Sequence, residues 1–174
     1  MEVMGEFRSS GREEAIKILY FLENDSELQK SILKFEEEDL ETLIPIEDLV
    51  EKYETIHPCN KRSERQRKTR DYALRIVSKV YDNKREIDKD IIKYSKIRIE
   101  RIDMITLCIL RLGICQFAYF NDIPSDMKAN VIISECVKWS KIYEEDVSTT
   151  GWSNGGPSFI NGILDRIFHE KIAG

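Results

Sequence analysis

The sequence predicts an all-α protein, a single-domain bundle of about seven or eight helices around one buried central helix. Three observations carry that expectation. The stretch from Arg101 to Phe120 is apolar on nearly every side, holds no Pro, and continues apolar beyond its single Gly113. A surface helix keeps a polar face, so a helix that is apolar all round has to be covered by others. In the other segments apolar residues recur at helical spacing, and no run of useful length alternates as a half-buried strand would.

The elements follow in order. Ser10-Gly11-Arg12-Glu13 reads as a capping box, ahead of a helix with Ala15, Ile16, Leu19 and Leu22 inward. Ser26 to Gln29 reads as a second box, opening a helix with Leu28, Ile32 and Phe35 on one face. From Glu36 to Glu54 nine acidic residues stand against one base, Lys52. Pro45 interrupts that segment, and Ile46, Leu49, Val50 and Tyr53 predict a short helix after it. His57-Pro58-Cys59-Asn60 is a loop. Lys61 to Arg75 reverses the charge, with seven bases against Glu64 and Asp71. It leads into a helix with Tyr72, Ala73, Ile76, Val77 and Val80 inward, then a short one built on Ile87, Ile91 and Tyr94. After the central stretch, Asn121 to Pro124 makes a turn, and Pro124 is placed to open a helix carrying Val131, Ile132, Glu135, Cys136, Trp139 and Tyr143. Glu144 to Pro157 is a polar loop. Pro157 suits the first position of a last helix, whose face is Phe159, Ile160, Ile163, Leu164, Ile167 and Phe168.

A length of 174 residues suits one domain, 1–174. Charged residues make up 34% and hydrophobic ones 41%, enough for a core. The net charge of -5 excludes a surface basic all over but leaves room for a local basic patch. Asp103 and Arg111 inside the apolar stretch argue against a membrane span. The four cysteines show no C-x-x-C spacing and read as small buried hydrophobes in a reducing compartment. Met1 to Phe7 has no apolar leader, so the expected location is the cytoplasm. His57 beside Cys59 lacks a second pair at ligand spacing, and no metal site is expected. No nucleophile elbow, phosphate-loop lysine or His-Glu-x-x-His occurs. With two histidines and no suggestive carboxylate pair, no catalytic residue and no cofactor are expected. Function is expected to lie in a surface.

Four stretches, in order from residue 8 to 168, resemble the NusB family of bacterial transcription antitermination factors. Ser158-Phe-Ile-Asn-Gly-Ile-Leu-Asp165 resembles the family's H-K-F-[IV]-N-G-[IV]-L-D. Arg101 with Ile109-Leu-Arg-Leu112 resembles R-L-x-x-V-D-x-x-I-L-R-L. Ile133-Ser-Glu-Cys-Val-Lys-Trp-Ser-Lys141 resembles I-N-E-A-V-E-L-A-K. Gly11-Arg-Glu-Glu-Ala15 with Leu19-Tyr20 resembles A-R-x-x-A-x-x-x-L-Y. The resemblance implies a non-enzymatic helical RNA-binding protein. Its implied partners are boxA-type single-stranded RNA in nascent ribosomal RNA, a small-subunit ribosomal protein acting as NusE, and the RNA polymerase antitermination complex. It implies RNA contacts at Arg8, Arg12, Tyr20, Tyr143 and Phe159. Residue type alone leaves Tyr20, Tyr143 and Phe159 open between core and surface, whereas Arg12 is expected to be exposed.

The chain also departs from the family pattern. The N-terminal arm offers Arg8 and Arg12 among four glutamates. The family's central Asp falls at Thr106. The segments 36–60 and 144–158 read as an insertion and a long loop. The basic run, with Lys61, Arg62, Arg65, Arg67 and Arg70, either replaces the thin arm as an RNA contact or only neutralises the acidic segment before it. The alternative to an RNA-binding factor is an interaction module of the same fold that keeps the ribosomal partner and has lost RNA binding.

Overall fold

The structure is a computed structural model that describes residues 6–26, 29–30, 46–124, 126–146 and 156–172. Apart from residues 29–30, the expected helix over Leu28 to Phe35 lies outside the described residues, as do residues 36–45 and 147–155 of the two segments read as an insertion and a long loop. Among the described residues there are seven α-helices and no strand, so the chain is all-α as the spacing predicts. They are α1 (Glu6–Glu23), α2 (Ile46–Ile56), α3 (Glu64–Asp82), α4 (Lys84–Ser95), α5 (Met104–Ala118), α6 (Lys128–Asp146) and α7 (Pro157–Ile167). A 3-10 turn, Ile99–Arg101, precedes α5, and a single π turn, Phe168–Ile172, continues α7. None of these helices is long and apolar enough to cross a membrane.

The chain divides into two compact units, Met1–Asp82 and Asn83–Gly174. In the first, α1 packs on α3. Ala15, Ile16, Ile18, Leu19 and Leu22 meet a facing stripe of Tyr72, Ala73, Ile76, Val77 and Val80, all buried. Helix α1 begins at Glu6, one turn earlier than the Ser10 box predicts. Gly11 therefore sits inside it, where a side chain would not fit. A Cβ there would stand 2.5 Å from Tyr72 Cδ1 and 3.3 Å from the Thr69 carbonyl oxygen. Gly11→Ala should destabilise by about 1–3 kcal/mol through overpacking, although Ala is the better helix former. Thermal melting checks it, and an unchanged or raised midpoint would mean that α1 and α3 separate without cost.

The second unit is organised around α5. Every residue from Thr106 to Phe117 is buried, which explains the all-round apolar sequence. The helix is shorter than the apolar stretch because Asp103 stops it, capping the first turn by accepting from the Thr106 N–H at 3.1 Å. At the other end Lys128, itself buried, donates to the carbonyls of Phe120 (2.8 Å) and Phe117 (3.4 Å). It brings a cation to the helix end where the backbone is negative. Helices α4, α6 and α7 surround α5. Gly113 gives the close approach: a Cβ there would lie 3.0 Å from the Leu164 methyls and 3.1 Å from Cys136 Sγ. Pro124 sits in the turn ahead of α6, its carbonyl accepting from the Met127 N–H, and does not itself open the helix. Pro157 opens α7 as its spacing predicts.

Candidate nucleic-acid interface

Tyr20 is the aromatic most available to a ligand among the residues singled out by sequence. It is 42% exposed on the outer face of α1, three residues after Lys17 and one before Phe21. Helix α2 and the residue after it bring Lys52, Tyr53, Ile56 and His57 opposite. Together they line an open cleft of about 630 Å³ within the first unit. Its floor is aromatic. Phe21 meets Tyr53 edge-on at 5.4 Å between ring centroids, and Tyr53 lies against His57 at 4.8 Å. Burial pushes the Tyr53 hydroxyl above its ordinary pKa; the Glu14 carboxylate adds to that push and the Arg70 guanidinium opposes it. The rim is charged but balanced: Lys17 pairs with Glu13 at 3.3 Å and Lys52 with Asp25. Ile56, 53% exposed, adds apolar surface. Such a cleft can stack a base on Tyr20 while the two ammonium groups exchange their carboxylates for phosphate.

The two arginines expected at the N-terminus are not equivalent. Arg8 is half-buried, its guanidinium 5.8 Å from the Phe7 ring centroid. Arg12 is only 3% exposed, which corrects the expectation of a surface residue. Its Nη2 donates to the Tyr72 hydroxyl at 3.4 Å, and the guanidinium carbon stands 5.9 Å from that ring's centroid. The reason is its place on α1: Arg12 stands three and four positions before the buried Ala15 and Ile16, on the face that packs on α3. There the buried phenol takes a donor and the ring takes a cation.

The basic run also divides. Lys61, Arg62, Arg65 and Arg67 are exposed, the last two in the first turn of α3. Arg70 is 7% exposed, again against the surface role expected for it. It is bonded through Nε to Glu14 and through Nη2 to the His57 carbonyl, at 2.8 Å for the latter. Both of these arginines lie at the contact between α1 and α3, Arg12 reaching Tyr72 and Arg70 reaching Glu14, a position that charge patterning alone does not reveal.

Tyr143 and Phe159 belong to the second unit, and both are half-buried. Tyr143 lies near the end of α6, and Phe159 in the first turn of α7, after Gly156. Gly156 caps that helix with φ 92°, a conformation natural to glycine, and contributes no side-chain oxygen to the first turn. Its own N–H donates to Thr106 Oγ1 at 3.3 Å, fixing where α7 begins. Gly155 lies outside the described residues.

The structure thus joins Tyr20 to Lys17, Phe21, Lys52 and His57, none of which the sequence reading named as a contact. The signal was present in part: Lys17, Tyr20, Phe21 and Asn24 recur at +3, +1 and +3, one face of a helix. Lys52 and His57 come from α2 and its end, and only the folded chain brings them near. Among the described residues no three His, Cys, Asp or Glu side chains gather where a metal ion would bind.

The NusB family matches residues 9–169. The transcription antitermination protein NusB of Acetivibrio thermocellus is 33% identical over 166 residues, covering 95% of this chain and 90% of that protein. The protein of the same name from Clostridium novyi is 27% identical over 92% of this chain and 96% of its own. That from Leptospira biflexa is 34% identical over 61% of this chain and 68% of its own. No solved structure matches the chain.

Proposed function

The chain belongs to the NusB family, and from that premise we propose that it is a transcription antitermination factor. It binds boxA-type single-stranded RNA in nascent ribosomal RNA, together with a small-subunit ribosomal protein acting as NusE. It thereby helps RNA polymerase read through terminators and helps ribosomal RNA mature. The role is one of binding, without catalysis. The observation that carries the RNA reading is Tyr20, an exposed ring above an aromatic-floored cleft with Lys17 and Lys52 at its rim. Single-stranded RNA is held by stacking on such rings and by cations along its backbone. Arg8, Tyr143 and Phe159 extend the proposed contact set. Arg12 would act from behind it, through Tyr72, unless binding draws its guanidinium outward. Lys61, Arg62, Arg65 and Arg67 supply exposed charge where the N-terminal arm is thin.

The test is a binding assay with boxA-like RNA across salt, with and without the ribosomal partner. Log affinity should fall with log salt, by about 0.7 for each phosphate contacted. Tyr20→Ala and Phe159→Ala should each lose roughly tenfold or more in affinity, since stacking contributes about 1–3 kcal/mol per base. Tyr20→Ala should keep its melting temperature. Half-buried Phe159 separates two roles: a large loss of stability with unchanged affinity of the folded fraction would return it to the core. Binding to the ribosomal partner with no RNA affinity at any salt would make the chain an interaction module instead. The burial of Arg12 and Arg70 is what favours that second reading.

A further inference from the structure

We propose that Asn24 reads the edge of the base that stacks on Tyr20, and that this subsite takes a base with an exocyclic amino group in preference to uracil. The assignment rests on the RNA reading above and gives it a base preference. Asn24 follows the last residue of α1, is exposed, and lines the same cleft as Tyr20. Lys17, Tyr20 and Asn24 stand three and four positions apart, on one face of the helix. Lys17 and Lys52 suit phosphate, and an ammonium at the backbone does not tell one base from another. A carboxamide, with an acceptor beside a donor, can.

The amide is held in one orientation. Asn24 Nδ2 donates to the Tyr20 carbonyl at 2.7 Å. A carbonyl only accepts, so the nitrogen faces it and Oδ1 is turned the other way. Among the described residues Oδ1 and the second N–H have no partner, although the side chain is already fixed. A group ordered in this way loses little freedom when a ligand arrives. Its match is a donor beside an acceptor. Adenine presents that pair at its amino group and ring nitrogen, the edge that Asn commonly reads. Cytosine presents it too. Uracil carries a carbonyl oxygen at the corner where cytosine carries its amino group. Its one N–H lies between two carbonyls, so a bond from it to Oδ1 also brings oxygen against oxygen.

The test compares bases of equal size. Short oligo(C) and oligo(U), with oligo(A) alongside, compete with boxA-like RNA for the full chain at fixed salt. Oligo(C) and oligo(A) should each compete roughly tenfold better than oligo(U), a modest yield for a two-bond match to a base edge. Asn24→Ala should bring the three within about twofold of one another. It should keep most of its melting temperature, because the backbone N–H at 24 also reaches the Tyr20 carbonyl, at 3.2 Å. The ratio separates the roles. If Asn24 only finished the helix, its loss would weaken all three RNAs alike, and that result overturns the proposal. Equal competition by the three RNAs in the parent, or a preference that survives Asn24→Ala, also overturns it and leaves the functional reading standing. A parent chain that binds no RNA, boxA-like RNA included, overturns the functional reading, and the base preference with it.

Discussion

Replacing Asp88 with alanine should cost the chain about 3–5 kcal/mol of stability, the largest effect expected of any single carboxylate here. Arg111 lies in the fully buried span of α5, its side chain only 3% exposed. It reaches α4 with two parallel bonds, Nε to one oxygen of Asp88 at 2.8 Å and Nη2 to the other at 3.0 Å. Such a fork fixes the rotation of one helix against the other. Without Asp88 the guanidinium remains inside and has lost both acceptors of the fork. Its desolvation is then no longer repaid by that carboxylate, and that is what makes a broken buried pair so expensive. A neutral replacement of both partners, Asp88→Leu with Arg111→Met, should recover much of the loss. Chemical denaturation of the single and double variants measures this. A single variant within about 0.5 kcal/mol of the parent, the range of ordinary surface changes, would mean that Arg111 finds water and is not held in the core.

Leu110→Ala should cost about 2–5 kcal/mol by a different route. Leu110 is fully buried near the middle of α5. Removing its isobutyl group gives up the transfer free energy and leaves a hole that the neighbouring helices fill only in part. Ile92→Ala, on α4 and 46% exposed, is the matched comparison and should change stability by less than about 1 kcal/mol. Melting curves of the two variants decide the point. Similar midpoints for both would mean that α5 is not the packed centre of its unit.

Much of this was legible beforehand, and the residues show why. The core faces of α1, α3, α4 and α7 follow from spacing alone, because burial selects residue type at a period that any helix imposes. Pro157 announced its helix start for the same local reason. Arg12 and Arg70 were read as surface residues because an arginine looks the same in sequence whether it faces water or a buried phenol or carboxylate. Their partners, Tyr72 and Glu14, lie 60 and 56 positions away. The Asp88–Arg111 fork has the same character, with a separation of 23. Asp103 was placed within the central helix, although an Asp three residues before a Thr at a helix start is a capping pattern. The cleft around Tyr20 escaped notice because half of it comes from α2, in the acidic segment read as an insertion.

Thr106 carries a consequence for how the two ends of the second unit's chain communicate. The family pattern has Asp where this chain has Thr106. The hydroxyl donates to Asp103 Oδ2 at 3.2 Å and accepts the Gly156 N–H at 3.3 Å. A carboxylate at this place would accept from Gly156 equally well, but it has no proton to give Asp103, and two anions would meet across the first turn of α5. In this chain the acidic cap at 103 is matched by an amphoteric neighbour at 106. That one atom then works as a linkage. A shift in the first turn of α5 moves the residue from which α7 unrolls, and Phe159 stands three residues further on. A substitution at 106 would accordingly act at a distance, altering the pose of an aromatic ring that it never touches.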